Sequence, residues 1–260
     1  MTKVVGFPTD LISNYAFALV LTLARVGAIL AMLPGLGETS VPAVMKSGTL
    51  LCLTMLLLPI VAPAFSPPPE SEVALGLMVL AELANGLWFG WLTRVIVTSL
   101  PMVGQIIADF AGLSNILMPS PELGAQASAI GRLYEVAVPT LILSTGLYAE
   151  LLSALVGFYR VVPAGTLAGS PDSVALAVTV IVESFNLALR LASPFIVASI
   201  AWHLATGLIA RLVPRLQIFF VGMPGQIWLG LSLLALLSSA IIGAWIEAVG
   251  TGFLALPGGG

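Results

Sequence analysis

Charge is what this sequence has least of. Only 8% of its 260 residues are charged, where soluble domains carry about a quarter, so an ordinary water-facing surface is excluded. Its nine bases and twelve acids are scattered singly to a net charge of −3, and with no basic cluster neither nucleic acid nor an anionic lipid surface is an expected partner. There is one cysteine, Cys52. It excludes an intrachain disulfide and, lying in the apolar run Leu50 to Leu58, it acts as a small hydrophobe with no cation near enough to activate it. The single histidine, His203, removes any credible triad or Cys/His metal site. No G-x-x-x-x-G-K-[ST] loop is present to cradle a nucleotide. We therefore expect no catalytic site, no metal and no cofactor.

What the sequence has in abundance is apolar length, with 59% hydrophobic residues. A helix needs about 20 mostly apolar residues to cross the hydrocarbon layer. Such runs occur at Leu11 to Leu33, Ser47 to Phe65, Val73 to Leu100, Ala127 to Tyr159, Val174 to Arg211 and Ile218 to Trp245. Backbone polar groups left unpaired in lipid are too costly for anything but helices or closed barrels, and no period-2 alternation speaks for a barrel. The fold class expected is an all-α membrane protein forming a single domain over 1–250, with 251–260 as a flexible tail. Lys3 ahead of Leu11 to Ala24 has a faint signal-peptide look, but Arg25 interrupts the run, so a retained helix is expected.

Prolines and glycines punctuate the runs. Val174 to Arg211 would be roughly 57 Å long as one helix, and with Pro194 in its middle it reads as a bent helix or a hairpin. Ala127 to Tyr159 is also overlong, and Pro139 is expected to kink it. Phe65 to Glu70 contains three consecutive prolines and reads as a stiff extended loop. Pro34 to Gly37, Pro163 to Gly165 and Leu256 to Gly258 read as turns or ends. Arg211 and Arg215 suggest a cytoplasmic connection, while the triple-proline loop and the C-terminus, which lack Lys and Arg, suggest the outer side.

Ionisable groups within apolar runs face a protein interior or a water path. Here Arg25, Glu82, Arg94, Asp109, Arg132, Glu135, Glu150, Glu183, Arg190 and His203 all lie in or near such runs, too many for a chain bathed in lipid, so shielding by protein subunits is expected. Glu183, Asn186 and Arg190 share one helix face, and Arg132 lies three residues before Glu135, close enough to pair. Both sets read first as polar contacts between helices and second as a conduction or proton path. His203, next to Trp202 and with no acid within four residues, reads as a packed or interfacial histidine before a proton relay. Gly86 and Gly90 form a GxxxG that suits close helix approach, within the chain or between chains. The stretch Pro101 to Pro119 is apolar but interrupted by Gly, Pro and Asp109. It reads as a short helix and loop near a pore, or as an ordinary connector between helices.

Taken together, Arg25 to Gly37 with Val41, Pro42 and Lys46, then Gly104 to Ala108 through Pro119, then Ser153 to Gly165, and finally Arg211 to Pro224 resemble the FliR family of flagellar biosynthesis proteins, whose counterparts serve in virulence type III secretion. The segments follow the family order across nearly the whole chain. The resemblance implies a non-enzymatic inner-membrane subunit of the flagellar basal body, with tilted and kinked helical hairpins packed into a multi-subunit export gate. It implies FliP-type and FliQ-type subunits in several copies and an FlhB-type subunit as partners, with unfolded export substrates in transit. The family's plug loop corresponds to Gly104, Gln105, Ile106, Ile107, Ala108, Asp109, Phe110, Ala111, Gly112, Leu113, Ser114 and Asn115. By that correspondence Ile106, Ile107, Phe110 and Leu113 supply apolar closure of the pore, and Gly104 and Gly112 its bends. Asp109 departs from the mostly neutral loop, and Arg215 and Gln217 replace the family's usual Gln and Asn. A virulence export gate is the nearest alternative. A secondary transporter with a midplane site from Glu183, Arg190 or Asp109 is another, although no inverted repeat is visible; a purely structural assembly protein is a third.

Overall fold

A computed structural model of the chain describes residues 9–37, 41–65, 68, 69, 71–113, 128–168, 171–212 and 218–259. Among them the architecture is all helical, as the apolar runs require. Seven α-helices follow in order: α1 Thr9–Met32, α2 Ala43–Val61, α3 Glu72–Phe110, α4 Ala129–Thr145, α5 Leu147–Val161, α6 Pro171–Leu212 and α7 Ile218–Leu254. A short 3₁₀ turn, Ala62–Ala64, continues α2. Of the described helices five are long and apolar enough to cross a membrane, or six spans if the bent pair α4 and α5 counts as one. The chain is an all-α membrane protein.

Several helices run further than the punctuation suggests. Val174 to Arg211 lies within one 42-residue helix, so the expected hairpin is absent and Pro194 is carried inside α6. Proline removes one i to i−4 hydrogen bond, which is one bond among dozens in a helix of this length. Likewise α4 passes through Pro139, and the helix ends instead at Thr145, before Gly146. Gly146 has φ +83, and no atom lies within 4 Å of the place its Cβ would take. Its glycine is needed for backbone conformation alone. Of the triple-proline loop, Ser66, Pro67 and Glu70 fall outside the described residues, as do Arg215 and Gln217.

The chain packs as two compact units: 1–94, 146–178 and 251–260 form one, and 95–145 and 179–250 the other. In the first, Leu21, Val26, Phe89, Leu92, Phe158 and Phe253 are buried, with Phe89 and Phe158 stacked at 5.0 Å between centroids. The GxxxG lies inside this unit. A Cβ on Gly86 would fall 2.4 Å from the Arg25 carbonyl oxygen, and one on Gly90 would fall 2.9 Å from Met32 Cβ, so these glycines let α1 and α3 touch backbone to backbone. The expected flexible tail belongs here too. Phe253 and Leu256 are buried, and Gly258 sits so close to Gly157 that a Cβ on it would fall 2.2 Å from the Gly157 carbonyl carbon. Two large apolar side chains with a place in the core outweigh the conformational freedom of the glycines after them.

The second unit is built around Val97, Leu100, Val103, Ile107, Ala192 and Trp245. Trp245 is fully buried, and its Nε1 donates to Ser99 Oγ at 3.0 Å. Ser99 Oγ in turn donates to the Ile96 carbonyl at 2.6 Å, so the indole's one polar atom is satisfied.

Candidate functional site

Residues 104–113 are the last turns and cap of α3, not an independent loop. Pro101 does not interrupt the helix, and Val103, Ile107, Ala108 and Ala111 are buried in the second unit. Gly104 is therefore not a bend. A Cβ there would fall 2.8 Å from Gly131 Cα, so the residue is a point of close approach between α3 and α4. Gly112, by contrast, does turn the chain: it has φ +71, Leu113 N donates to the Ala108 carbonyl at 2.9 Å, and Gly112 N donates to the Asp109 carbonyl at 3.4 Å. These two bonds make a Schellman cap, which needs a left-handed residue at this place and satisfies carbonyls the helix end leaves free. From α7, Gln226 Nε2 donates to the Phe110 carbonyl at 2.9 Å. Thus the helix end is closed from two sides.

The polar groups of this segment also fix the start of α4. Gln105 Oε1 accepts from Ser128 N at 2.9 Å, while Gln105 Nε2 donates to Asp109 Oδ1 at 3.2 Å. Ser128 Oγ accepts from Gly131 N at 3.0 Å, the N-cap bond of a serine to the third residue of its helix. One glutamine thereby ties the exposed Asp109 to the cap of α4. Of the four apolar residues assigned to closure, Ile107 is fully buried and its surface is spent on packing. Ile106, Phe110 and Leu113 are half-buried and are left with a free face at the end of α3. Ser114 and Asn115 lie outside the described residues.

The strongest polar constellation lies in the first unit and joins residues far apart in sequence. Arg25 and Glu82 have fully buried side chains. Arg25 Nε donates to Glu82 Oε2 at 2.5 Å and Arg25 Nη2 donates to Glu82 Oε1 at 2.9 Å, the fork geometry peculiar to arginine and carboxylate. Arg25 Nη1 donates to the Val162 carbonyl at 3.1 Å. Its guanidinium carbon lies 4.1 Å from the Tyr159 ring centroid and 5.1 Å from that of Phe158. Glu82 Oε1 also accepts from Gly165 N at 2.7 Å. One helical turn later, Asn85 donates to the Thr166 carbonyl at 2.6 Å and accepts from Ala168 N at 2.9 Å. Side chains of α1 and α3 thus pin the connection between α5 and α6, which otherwise has few backbone partners of its own. In sequence, Arg25 and Glu82 carried a signal, as charges inside apolar runs. Their 57-residue separation hid the pairing.

The remaining polar residues are dispersed. Arg132 Nη1 and Glu135 Oε2 pair at 2.9 Å as expected, but on one exposed helix face, where such a pair contributes little. Glu183, Asn186 and Arg190 do share a face of α6, and all three are exposed. His203 Nδ1 lies 2.7 Å from the Ser199 carbonyl oxygen and 3.2 Å from Ser199 Oγ, a local contact on its own helix. Cys52 is exposed. Among the described residues no cluster of three or more His, Cys, Asp or Glu is arranged to hold a metal.

Comparison with known proteins finds relatives along most of the chain. Residues 16–251 match the family described as "Bacterial export proteins, family 1". The chain is 36% identical over 227 residues to the flagellar biosynthetic protein FliR of Caulobacter vibrioides, covering 87% of this chain and 90% of that protein. With FliR of Escherichia coli it is 31% identical over 222 residues, 84% of this chain and 83% of the relative. A Yop proteins translocation protein T from Yersinia pestis is 28% identical over 220 residues, 83% of each chain. With this match running through α1 to α7, the chain belongs to the bacterial export proteins, family 1.

Proposed function

We propose that this chain is a subunit of the flagellar-type protein export gate in the bacterial inner membrane, lining part of the closed path through which unfolded flagellar proteins leave the cell. The observation that carries this reading is the extent of the likeness. A relative named for flagellar biosynthesis is 36% identical over 90% of its own length, whereas the relative named for Yop translocation is 28% identical. The virulence gate is the second reading, and that same Yop relative is what favours it. FliP-type, FliQ-type and FlhB-type subunits are the partners this reading requires, and no catalytic role is assigned.

In this reading the end of α3 closes the path. Ile106, Phe110 and Leu113 keep a free apolar face beside a turn fixed by Gly112 and Gln226. A ring of such faces blocks water and ions by dewetting and yields to a passing chain. Ile107 and Gly104 hold that face in place from behind. Deleting the gene in its own bacterium and measuring flagellin in the culture medium is the direct test. Flagellin should vanish and return with a plasmid copy. Normal flagellin secretion in the deletion strain would overturn the flagellar reading, and loss of injected effectors with flagellin intact would select the virulence gate.

A further inference from the structure

We infer that Gln226 is the positioning residue that keeps the closing face of α3 in its closed position, and that its bond to the Phe110 carbonyl breaks when the path opens. The inference rests on the reading of Ile106, Phe110 and Leu113 as that face, and adds what holds and releases it.

The end of α3 has several ties, and they hold different things. The Schellman cap closes on the carbonyls of Ala108 and Asp109, a turn of chain folded on itself, so it moves with the helix end. Gln105 Oε1 accepts from Ser128 N at 2.9 Å, five residues before Phe110, and serves the cap of α4. Gln226 Nε2, by contrast, donates to the Phe110 carbonyl at 2.9 Å and so joins α7 to the backbone of a closing residue.

The glutamine is seated for this contact. Its side-chain Cδ, Nε2 and Oε1 lie 3.3, 3.4 and 3.6 Å from the place a Cβ on Gly112 would take, so glycine there both turns the chain and makes room for the amide. One turn further along α7, a Cβ on Gly230 would fall 2.4 Å from Ala111 Cβ, and both residues are buried. Thus α7 crosses the end of α3 with a tight backbone pivot at Gly230 and a side-chain latch at Gln226, about 6 Å apart along the axis. Two residues before the latch, Pro224 takes one hydrogen bond out of α7. That turn is where α7 bends most easily, and Gln226 rides on it. Between them a Cβ on Gly225 would fall 2.5 Å from Trp202 Cη2, so the indole of α6 rests on the same turn.

The chemistry suits a contact that is made and broken repeatedly. The bond joins two neutral groups and is only part-buried, so on release water takes over both the amide and the carbonyl and no buried polar group is stranded. The Arg25 and Glu82 pair, charged and fully buried, has no such exit. A bond present in the closed state and absent in the open one shifts that balance by its own strength, a factor of about two to ten for a neutral hydrogen bond.

Gln226→Met tests this, because methionine has nearly the length and volume of glutamine and no donor. The variant is expressed with the whole export apparatus in its own bacterium, and ion leak of resting cells is measured per assembled complex. The amount of assembled complex should be unchanged and the leak should rise about two- to tenfold. Because Gln226 acts through Phe110, combining the variant with Phe110→Ala should leak no more than Phe110→Ala alone, whereas an independent contact would add its effect. An unchanged leak, a fall in complex yield, or a double variant that leaks as the product of the two singles would overturn the inference. If Phe110→Ala itself does not leak in an assembled complex, the closure reading fails and takes the inference with it. If Phe110→Ala leaks and Gln226→Met does not, the closure reading stands and the inference alone fails.

Discussion

Replacing Glu82 by Gln changes one of its three hydrogen-bonded contacts and removes one charge, with almost no change in volume. Glu82 Oε1 accepts from Arg25 Nη2 and Gly165 N, and a glutamine carbonyl can keep both. The second oxygen, which accepts from Arg25 Nε, becomes an amide donor facing another donor, and a fully buried guanidinium is left with no counter-charge. Breaking one side of a buried pair costs about 3–5 kcal/mol. The Tyr159 and Phe158 rings lie beneath the guanidinium in both proteins, so their cation–π stabilisation cancels and the net loss stays at about 3–5 kcal/mol. Losses of this size change steady-state abundance several-fold or more in cells. The assay is the amount and half-life of tagged chain in membranes after synthesis is stopped, together with the heating midpoint of the solubilised complex. Arg25→Met combined with Glu82→Leu should be milder than Glu82→Gln, because it removes both charges and leaves only the Val162 and Gly165 backbone groups without their side-chain partners. Wild-type abundance and midpoint for Glu82→Gln, or a double variant no better than the single one, would refute the claim that this pair fastens the α5–α6 connection.

Other expectations follow from the same contacts. Phe110→Ala and Ile106→Ala should leave the complex assembled but raise proton or ion leak in resting cells, whereas Ile107→Ala, fully buried, should lower stability by about 2–5 kcal/mol and reduce complex yield before any leak appears. Replacing all of Gly104 to Asn115 by a linker should therefore abolish assembly, since it removes buried Ile107, Ala108 and Ala111 along with the free face. Gly146→Ala meets no atom but forces a left-handed backbone on alanine, so it should destabilise by about 1–2 kcal/mol; Gly104→Ala drives a Cβ against the Gly131 backbone and should be worse in the same thermal assay. Ending the chain at Val249 removes Phe253 and Leu256 from the core and should cut membrane abundance, while removal of Gly259 and Gly260 alone should not.

The helices were legible because each apolar run is long enough to dominate its own local structure: α1 and α2 fall within a few residues of the runs that suggested them, and α7 starts where its run starts and continues past Trp245 to Leu254. Proline misled only where it suggested a hairpin: Pro194 and Pro139 both lie inside single helices, because one missing hydrogen bond among many need not end a helix. The true break at Gly146 depends on a backbone conformation that any solitary glycine in a helix only permits, and nothing local distinguishes it. The segment 104–113 is resemblance and structure combined: sequence places a plug there and predicts bends at Gly104 and Gly112, but only the approach of Gly131 reveals that Gly104 packs and Gly112 turns. Pairings across the chain were least legible of all. Arg25 with Glu82, Gln226 with Phe110 and Trp245 with Ser99 require knowing which helices touch, whereas Arg132 with Glu135 required only a spacing of three.

A gate subunit needs other protein chains, and not acyl chains, to cover the exposed charged faces of its helices. Native mass spectrometry of the affinity-tagged chain, extracted from membranes of its own bacterium in mild detergent, measures this directly. The expected species is a large assembly in which one copy of this chain is held by several copies of smaller apolar subunits. Recovery of the chain chiefly as a folded, lipid-bound monomer would contradict the account.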